Sequence, residues 1–220
     1  MNGDKLVIAI DGPAGAGKST IAKEIAKILN LEYVDTGAMY RALTLKVINS
    51  GIAIDDIENI IKLANSTSIK FQNNKIYLDG TAVDEDIRKN IVNNNVSNIA
   101  KIKEIREIMV DMQQKMAMDS NIIMDGRDIG TVVLPNANYK FFLIASVEER
   151  ARRRYLEIME KKQEDISYEK VLEDIKKRDT IDSTRDIAPL KKAPEAHIID
   201  STDKSIEETV REIINIIEGR

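Results

Sequence analysis

The chain contains no cysteine and no tryptophan, four prolines, and only 4% aromatic residues among its 220 positions. Without thiols there is neither a disulfide framework nor a thiolate metal site, and nothing points to an oxidising compartment. Long apolar runs are missing as well: no stretch approaches the roughly 20 residues that cross a bilayer. The opening MNGDKLVIAI does not read as a signal peptide, because its apolar run, Leu6 to Ile10, meets Asp11 and a set of glycines at once. Positive charge is not in excess, since 33 Lys and Arg against 37 Asp and Glu give a net charge of −4. Together with the scarcity of aromatics, that balance argues against a nucleic-acid track or motor. No Pro-rich or Gly/Ser-rich linker, internal repeat or low-complexity tract interrupts the sequence. The expectation is a cytoplasmic, monomeric protein of one domain over residues 1–220, with neither nucleic acid nor membrane among its partners.

What is present is organised by hydrophobic period. Hydrophobic residues make up 43% of the chain, enough for one core at this length. Short apolar runs at Leu6–Ile10, Ile122–Met124, Tyr139–Ala145 and His197–Ile199, with a weaker one at Glu32–Val34, read as buried strands. Helical stripes lie between them. Ile21, Ile25, Ile28 and Leu29 form the first; Ile102, Ile105, Met109, Met112 and Met116 form a long one whose methionines read as core. Ile206, Val210, Ile213 and Ile217 form the last, capped by Ser205 or Ser201. Strand alternating with helix means an α/β fold in three layers, with a central parallel sheet of about five strands covered on both faces. One stretch departs from this. SIKFQNNKIYLDGTAV predicts a small β-hairpin turning at Asn73-Asn74, with Asp79-Gly80 ending its second strand, inside an insertion at about residues 65–95. The lone histidine, His197, reads as an ordinary strand residue.

The strongest local signal is the run Gly12, Pro13, Ala14, Gly15, Ala16, Gly17, Lys18, Ser19, which fits G-x-x-x-x-G-K-[ST] between a strand and a helix. Its glycines let the backbone curl until successive N–H groups face phosphate oxygens, and the helix adds the positive end of its dipole. Lys18 would reach the β- and γ-phosphates of ATP, and the Ser19 hydroxyl would ligate Mg²⁺. Asp125, in NIIMDGRDIGT, stands at the end of a second apolar strand, where a carboxylate would meet Mg²⁺ or its waters. A phosphate loop says that a triphosphate binds. It does not say where the terminal phosphoryl group goes.

Three further clusters point to a small acceptor. DTGAMYRAL places Thr36 and Arg41 at the sheet's C-terminal edge, where open α/β sheets bind ligands. GRDIGT puts Arg127 beside Asp128 at the same edge, and the KRDTIDSTRD loop gathers Arg178, Asp182 and Arg185 before the last strand. Guanidinium groups suit a phosphate, while Asp and Thr suit a sugar or base with donors. Here DGPAGAGKST, YVDTGAMYRA, MDGRDIGTVVLP and KRDTIDSTRDIAPL resemble, over essentially the whole chain, the motif set of bacterial cytidylate kinases. The resemblance implies transfer of the γ-phosphoryl group of ATP to CMP or dCMP, a P-loop kinase fold with an enlarged monophosphate-binding insertion, and a helical lid at about residues 150–170. Position by position it implies a cytosine pocket from Thr36, Arg106, Asp128 and Arg185. It also implies pentose contacts from Ser97, Arg178 and Asp182, and acceptor-phosphate contacts from Arg41 and Arg127. Some members carry Gly-Thr after the loop lysine where this chain has Ser19-Thr20, which leaves the Mg²⁺ hydroxyl open between those two residues.

An acceptor that is already an anionic phosphate needs no general base, so catalysis is expected to rest on positioning and charge neutralisation by Lys18, Mg²⁺ and Arg127. Arg150 and Arg154, one helical turn apart in SVEERARRRYLE, are expected to swing over ATP as the lid closes and excludes water. Kinases acting on thymidylate, adenylate, guanylate or a non-nucleotide acid share the loop and fold. A nucleotide-dependent switch would need a guanine signal such as N-K-x-D; the only Asn-Lys pair, Asn74-Lys75, lies in the hairpin and lacks the Asp.

Overall fold

The run VIAID at Val7–Asp11 is apolar on both of its faces and becomes the central strand, β1, of a parallel sheet. The structure is a computed structural model and describes residues 5–72, 75–118, 120–160 and 166–219. After β1 come α1 (Lys18–Leu29), β2 (Glu32–Asp35), α2 (Thr36–Asn49), α3 (Ile57–Asn65), β3 (Ile69–Gln72), β4 (Lys75–Leu78) and β5 (Thr81–Ala82). They are followed by α4 (Asn90–Ala100), α5 (Lys103–Ala117), β6 (Ile122–Gly126), β7 (Tyr139–Ile144), α6 (Val147–Glu160), α7 (Tyr168–Thr184), β8 (His197–Asp200) and α8 (Ile206–Glu218). The chain forms two compact units, one running up to Glu32 and resuming at Ser120, the other made of the residues between.

The central sheet has the strand order β2-β6-β1-β7-β8. In the first unit β1 pairs in parallel with β6 and with β7, and β7 with β8. The five apolar runs read from the sequence are these five strands. Ile8, Ala9, Ile10, Ile122, Ile123, Met124 and Leu143 are wholly buried, and Ile21 and Ile25 of α1 and Ile213 of α8 join them in the core. Each buried Ile or Leu stabilises the unit by about 1.5–3 kcal/mol. Ser205 is the residue that caps α8: its hydroxyl accepts the Glu208 amide at 3.2 Å and the Glu208 carboxylate accepts the Ser205 amide at 2.8 Å. Helices α6 and α7 pack through Ala151, Ile158, Val171 and Ile175, with Tyr155 edge-on to Tyr168 at 6.1 Å.

In the second unit α2 is buried almost all round, with Met39, Leu43 and Val47 inaccessible, and it packs against α4, α5 and β4. The expected hairpin is present, β3 pairing antiparallel with β4, and its turn at Asn73-Asn74 lies outside the described residues. The sheet does not stop at the second strand, however. Asp79 and Gly80 both take left-handed conformations, φ 48° and 86°, and turn the chain into a third strand, β5, paired Leu78 to Thr81. Asp79 also holds this corner together, accepting the Ser68 amide at 2.8 Å and pairing with Lys46 at 2.6 Å.

Candidate active site

The phosphate loop follows β1 and leads directly into α1. Gly12, Gly15 and Gly17 have φ of 151°, 77° and 87°, and Gly17 stands at the N-cap of α1 with no side chain bonded to the first amides. Those amides are a ready donor set for an anion. A Cβ on Gly12 would overlap the Leu143 carbonyl oxygen, and one on Gly15 would press on Arg150. Gly12→Ala is therefore expected to lower the thermal midpoint far more than Gly51→Ala, a left-handed glycine with open space around it whose replacement costs about 1–2 kcal/mol. Equal midpoint shifts in calorimetry would remove the role given to the Leu143 contact.

Lys18 folds back into the loop and donates to the Pro13 carbonyl at 2.8 Å. Burial, with Arg127 nearby, pushes its ammonium down to about 7 against the pull of Asp125 and Asp11. Ser19 donates its hydroxyl to Asp125 at 3.0 Å, while Thr20 is exposed. Of the two hydroxyls left open by the sequence, Ser19 is the one that meets the strand carboxylate. A hydroxyl and a carboxylate at this separation suit a small, hard, oxygen-seeking ion. Among the described residues no three Asp, Glu, His or Cys side chains gather into a metal cluster.

Beyond β6, Arg127 and Asp128 open a single π turn at Ile129–Val133. Arg127 donates from Nε to Asp182 at 2.7 Å, Arg178 stands 4.0 Å from the same carboxylate, and Arg185 lies 3.6 Å from Asp128. All five residues of the second and third clusters are thus brought together. The KRDTIDSTRD segment is not a loop, as expected, but the last turns of α7. Arg178 and Asp182 sit one turn apart on it and Arg185 is its C-cap residue. Burial alone would raise the Asp182 carboxyl, but Arg127 and Arg178 hold it below the usual aspartate range; Asp182 in turn keeps Arg127 above the ordinary arginine value despite burial. Because the folded value lies below the unfolded one near 3.9, this carboxylate adds stability above that pH and loses it as pH falls through the folded value. The stability gap between wild type and Asp182→Asn, from urea denaturation, should be flat from about pH 5 to 7 and shrink below about pH 4. A gap that persists unchanged at lower pH contradicts the ion-pair account.

Two residues that sequence reasoning passed over complete this unit. Asp11, the last residue of β1, accepts the amides of Ile129 and Gly130, both at 2.7 Å, and burial pushes its carboxyl up to about 7 against those two bonds. Arg153 donates to the Ser201 hydroxyl at 3.2 Å, and that hydroxyl in turn donates to the Ala16 carbonyl of the phosphate loop at 3.3 Å. Nothing in the local pattern announces either. Arg150, expected to swing, is buried and held at three points: Ala145 and Ala14 carbonyls at 3.0 Å each and Asp179 at 2.7 Å. Arg154 is more accessible and pairs with Glu157 at 2.9 Å. Of the expected lid, residues 161–165 lie outside the described residues.

In the second unit, Asp35 caps α2 through the Ala38 amide at 2.8 Å and binds Arg41 at 2.8 Å. Burial would raise Asp35, but Arg41 and that amide keep it below its ordinary value. A Cβ on Gly37 would come within 3.1 Å of the Arg41 guanidinium, so glycine leaves the room this pairing needs. Thr36 is buried as the first residue of α2. Arg106, also buried, donates to the Ala100 carbonyl at 3.1 Å and lies over the Tyr40 ring at 5.5 Å. Ser97 lies inside α4 and is half-buried.

The family model for cytidylate kinase matches residues 8–219. The cytidylate kinase of Clostridioides difficile (strain 630) is 54% identical over 212 residues, covering 96% of this chain and 98% of that protein. That of Alkaliphilus oremlandii (strain OhILAs) is 57% identical over 212 residues, covering 96% and 97%. Among solved structures, an uncharacterized protein from Eubacterium ventriosum superposes with a TM-score of 0.55 at 14% identity, over 98% of this chain and all 100% of its own. Shikimate kinase from Bacteroides thetaiotaomicron follows at a TM-score of 0.50 and 14% identity, over 97% and 98%. At such identities the structures speak for the α/β fold alone.

Proposed function

The chain belongs to the cytidylate kinase family, and we infer from that membership that it is an ATP-dependent phosphotransferase converting CMP or dCMP to the diphosphate with release of ADP. The observation that carries the reading is the pairing of Asp128 with Arg185 and of Asp182 with Arg127, between the end of α7 and the residues just beyond β6, the strand whose Asp125 meets the phosphate-loop Ser19. Donor-loop chemistry and an Arg/Asp acceptor rim stand on neighbouring turns of one unit.

On this reading Gly12 to Thr20 wrap the donor phosphates, and Lys18 leaves the Pro13 carbonyl to neutralise charge on the transferring group. Ser19 and Asp125 would hold Mg²⁺, directly or through water, and the ion would supply further charge neutralisation. Arg127 orients the acceptor phosphate, and Asp182 with Arg178 takes the pentose. Asp128 accepts from the exocyclic amine of cytosine while Arg185 holds it in place. In the second unit Thr36 and Arg106 are assigned to the base, Ser97 to the pentose and Arg41 to the acceptor phosphate. Arg150 and Arg154 are assigned to the donor, Arg150 through the Ala14 carbonyl it already grips and Arg154 on release from Glu157. The proposal includes a cytoplasmic, monomeric protein; among the described residues no helix is long and apolar enough to cross a membrane.

A coupled ADP-release assay with MgATP across CMP, dCMP, UMP, dTMP, AMP and GMP tests this. CMP and dCMP should give the fastest turnover, well above ATP alone. No acceleration by either cytidine monophosphate would falsify the reading.

A further inference from the structure

We propose, resting on the Asp128 assignment above, that Asp11 is a positioning residue through which the strand feeding the donor loop fixes the turn that reads the acceptor base. Asp11 ends β1, and the next residue, Gly12, begins the phosphate loop. Its two carboxylate oxygens each take one amide, from Ile129 and from Gly130, 118 and 119 residues away. These are the two residues that follow Asp128. The Asp128 carbonyl in turn accepts the amides of Val132 and Val133 at 2.9 and 3.2 Å, closing the turn on itself.

The backbone here therefore has two fastenings, and only one of them is local. Both amides are buried against the Asp11 carboxyl and take it as their partner, so the turn has little freedom while Asp11 is intact. Crowding reinforces the grip. A Cβ on Gly130 would lie 3.4 Å from the Asp11 carboxylate and 3.3 Å from the Lys140 chain, so the amide approaches closely because residue 130 has no side chain. The Asp128 side chain hangs from the residue just before these amides, and its partner Arg185 is itself fixed, donating to the Ala188 carbonyl at 2.7 Å. A carboxylate that must discriminate an amine from a carbonyl oxygen needs a fixed position, since a shift of about 1 Å is enough to lose such a contact. Asp11 touches neither substrate in this account. It acts on the base through Asp128.

The test is Asp11→Asn, which keeps the size but replaces one acceptor oxygen by an amide donor facing a backbone N–H. Wild type and variant are assayed with MgATP and either CMP or UMP, with the active fraction set by titration and the thermal midpoint recorded. The expected result is a fall of about tenfold or more in the CMP-over-UMP ratio of kcat/KM and a raised KM for CMP, with KM for ATP within about threefold. A purely structural role would lower the midpoint and the active fraction but leave the ratio per active site alone. An unchanged ratio in a folded D11N therefore overturns the proposal. If D11N does not fold, Asp11→Ser, smaller and uncharged, is read by the same criterion. A wild type that shows no preference for CMP overturns the Asp128 assignment itself, which separates the two failures.

Discussion

Replacing Lys18 by methionine is expected to lower kcat by about 10³-fold, roughly 4 kcal/mol of transition-state stabilisation, while leaving the fold intact or slightly more stable. The two halves of that expectation have one cause. Lys18 is buried in the phosphate loop with a single carbonyl partner, Pro13, among its described hydrogen bonds, and burial together with Arg127 pushes its ammonium down to about 7. A buried cation in such surroundings opposes folding rather than aiding it, so an apolar chain of similar length relieves the strain on the free protein. The same surroundings make the charge effective once triphosphate oxygens arrive, because water does not screen it. Steady-state kinetics with saturating CMP, alongside a melting curve, checks both halves. Retention of more than about a tenth of wild-type kcat would show that the ammonium is not neutralising the transferred group.

Strands β1 and β6 were legible because a strand buried on both faces has to be an apolar run, whereas β8 was legible from its run although only Ile199 of it is buried. Strand β2 was weaker because it opens on exposed Glu32 and closes on Asp35, whose charge is kept for capping α2 and pairing with Arg41. Strand β5 was missed because two exposed residues, Thr81 and Ala82, carry no period at all. The end of α7 was read as a loop since Thr180, Ile181, Ser183 and Thr184 are poor helix formers. The three hydroxylated residues among them are accommodated by donating to carbonyls four residues back, Thr180 to Lys176 at 3.0 Å, Ser183 to Asp179 at 2.7 Å and Thr184 to Thr180 at 2.7 Å. The site follows the same logic. Motif residues announced themselves by spacing, whereas Asp11 and Arg153 act on groups more than forty residues away, Asp11 on the Gly130 amide and Arg153 on the Ser201 hydroxyl, and no local pattern records such a bond.

Removing the Asp128 side chain should be the most informative change to the acceptor side. In Asp128→Ala, kcat/KM for CMP is expected to fall by about 2–4 kcal/mol, some 30- to 1000-fold, with a much smaller effect on UMP. Cytosine offers an amine where uracil offers an oxygen, so a carboxylate attracts the first and sets lone pairs against the second. Alanine alone leaves a second explanation, because Asp128 and Arg185 are both buried and lie 3.6 Å apart. Breaking one side of such a pair costs stability of order 3–5 kcal/mol, and a loosened Arg185 would also depress turnover. Asp128→Asn separates the two effects. It preserves volume and one acceptor oxygen, and its amide can donate to the uracil oxygen, so kcat/KM for UMP should rise above wild type as that for CMP falls. A destabilised pocket would lower both nucleotides together; only a residue that reads the base moves them in opposite directions. If the preference for CMP survives in both variants, Asp128 belongs to the Arg185 ion pair and the discriminating contact lies elsewhere.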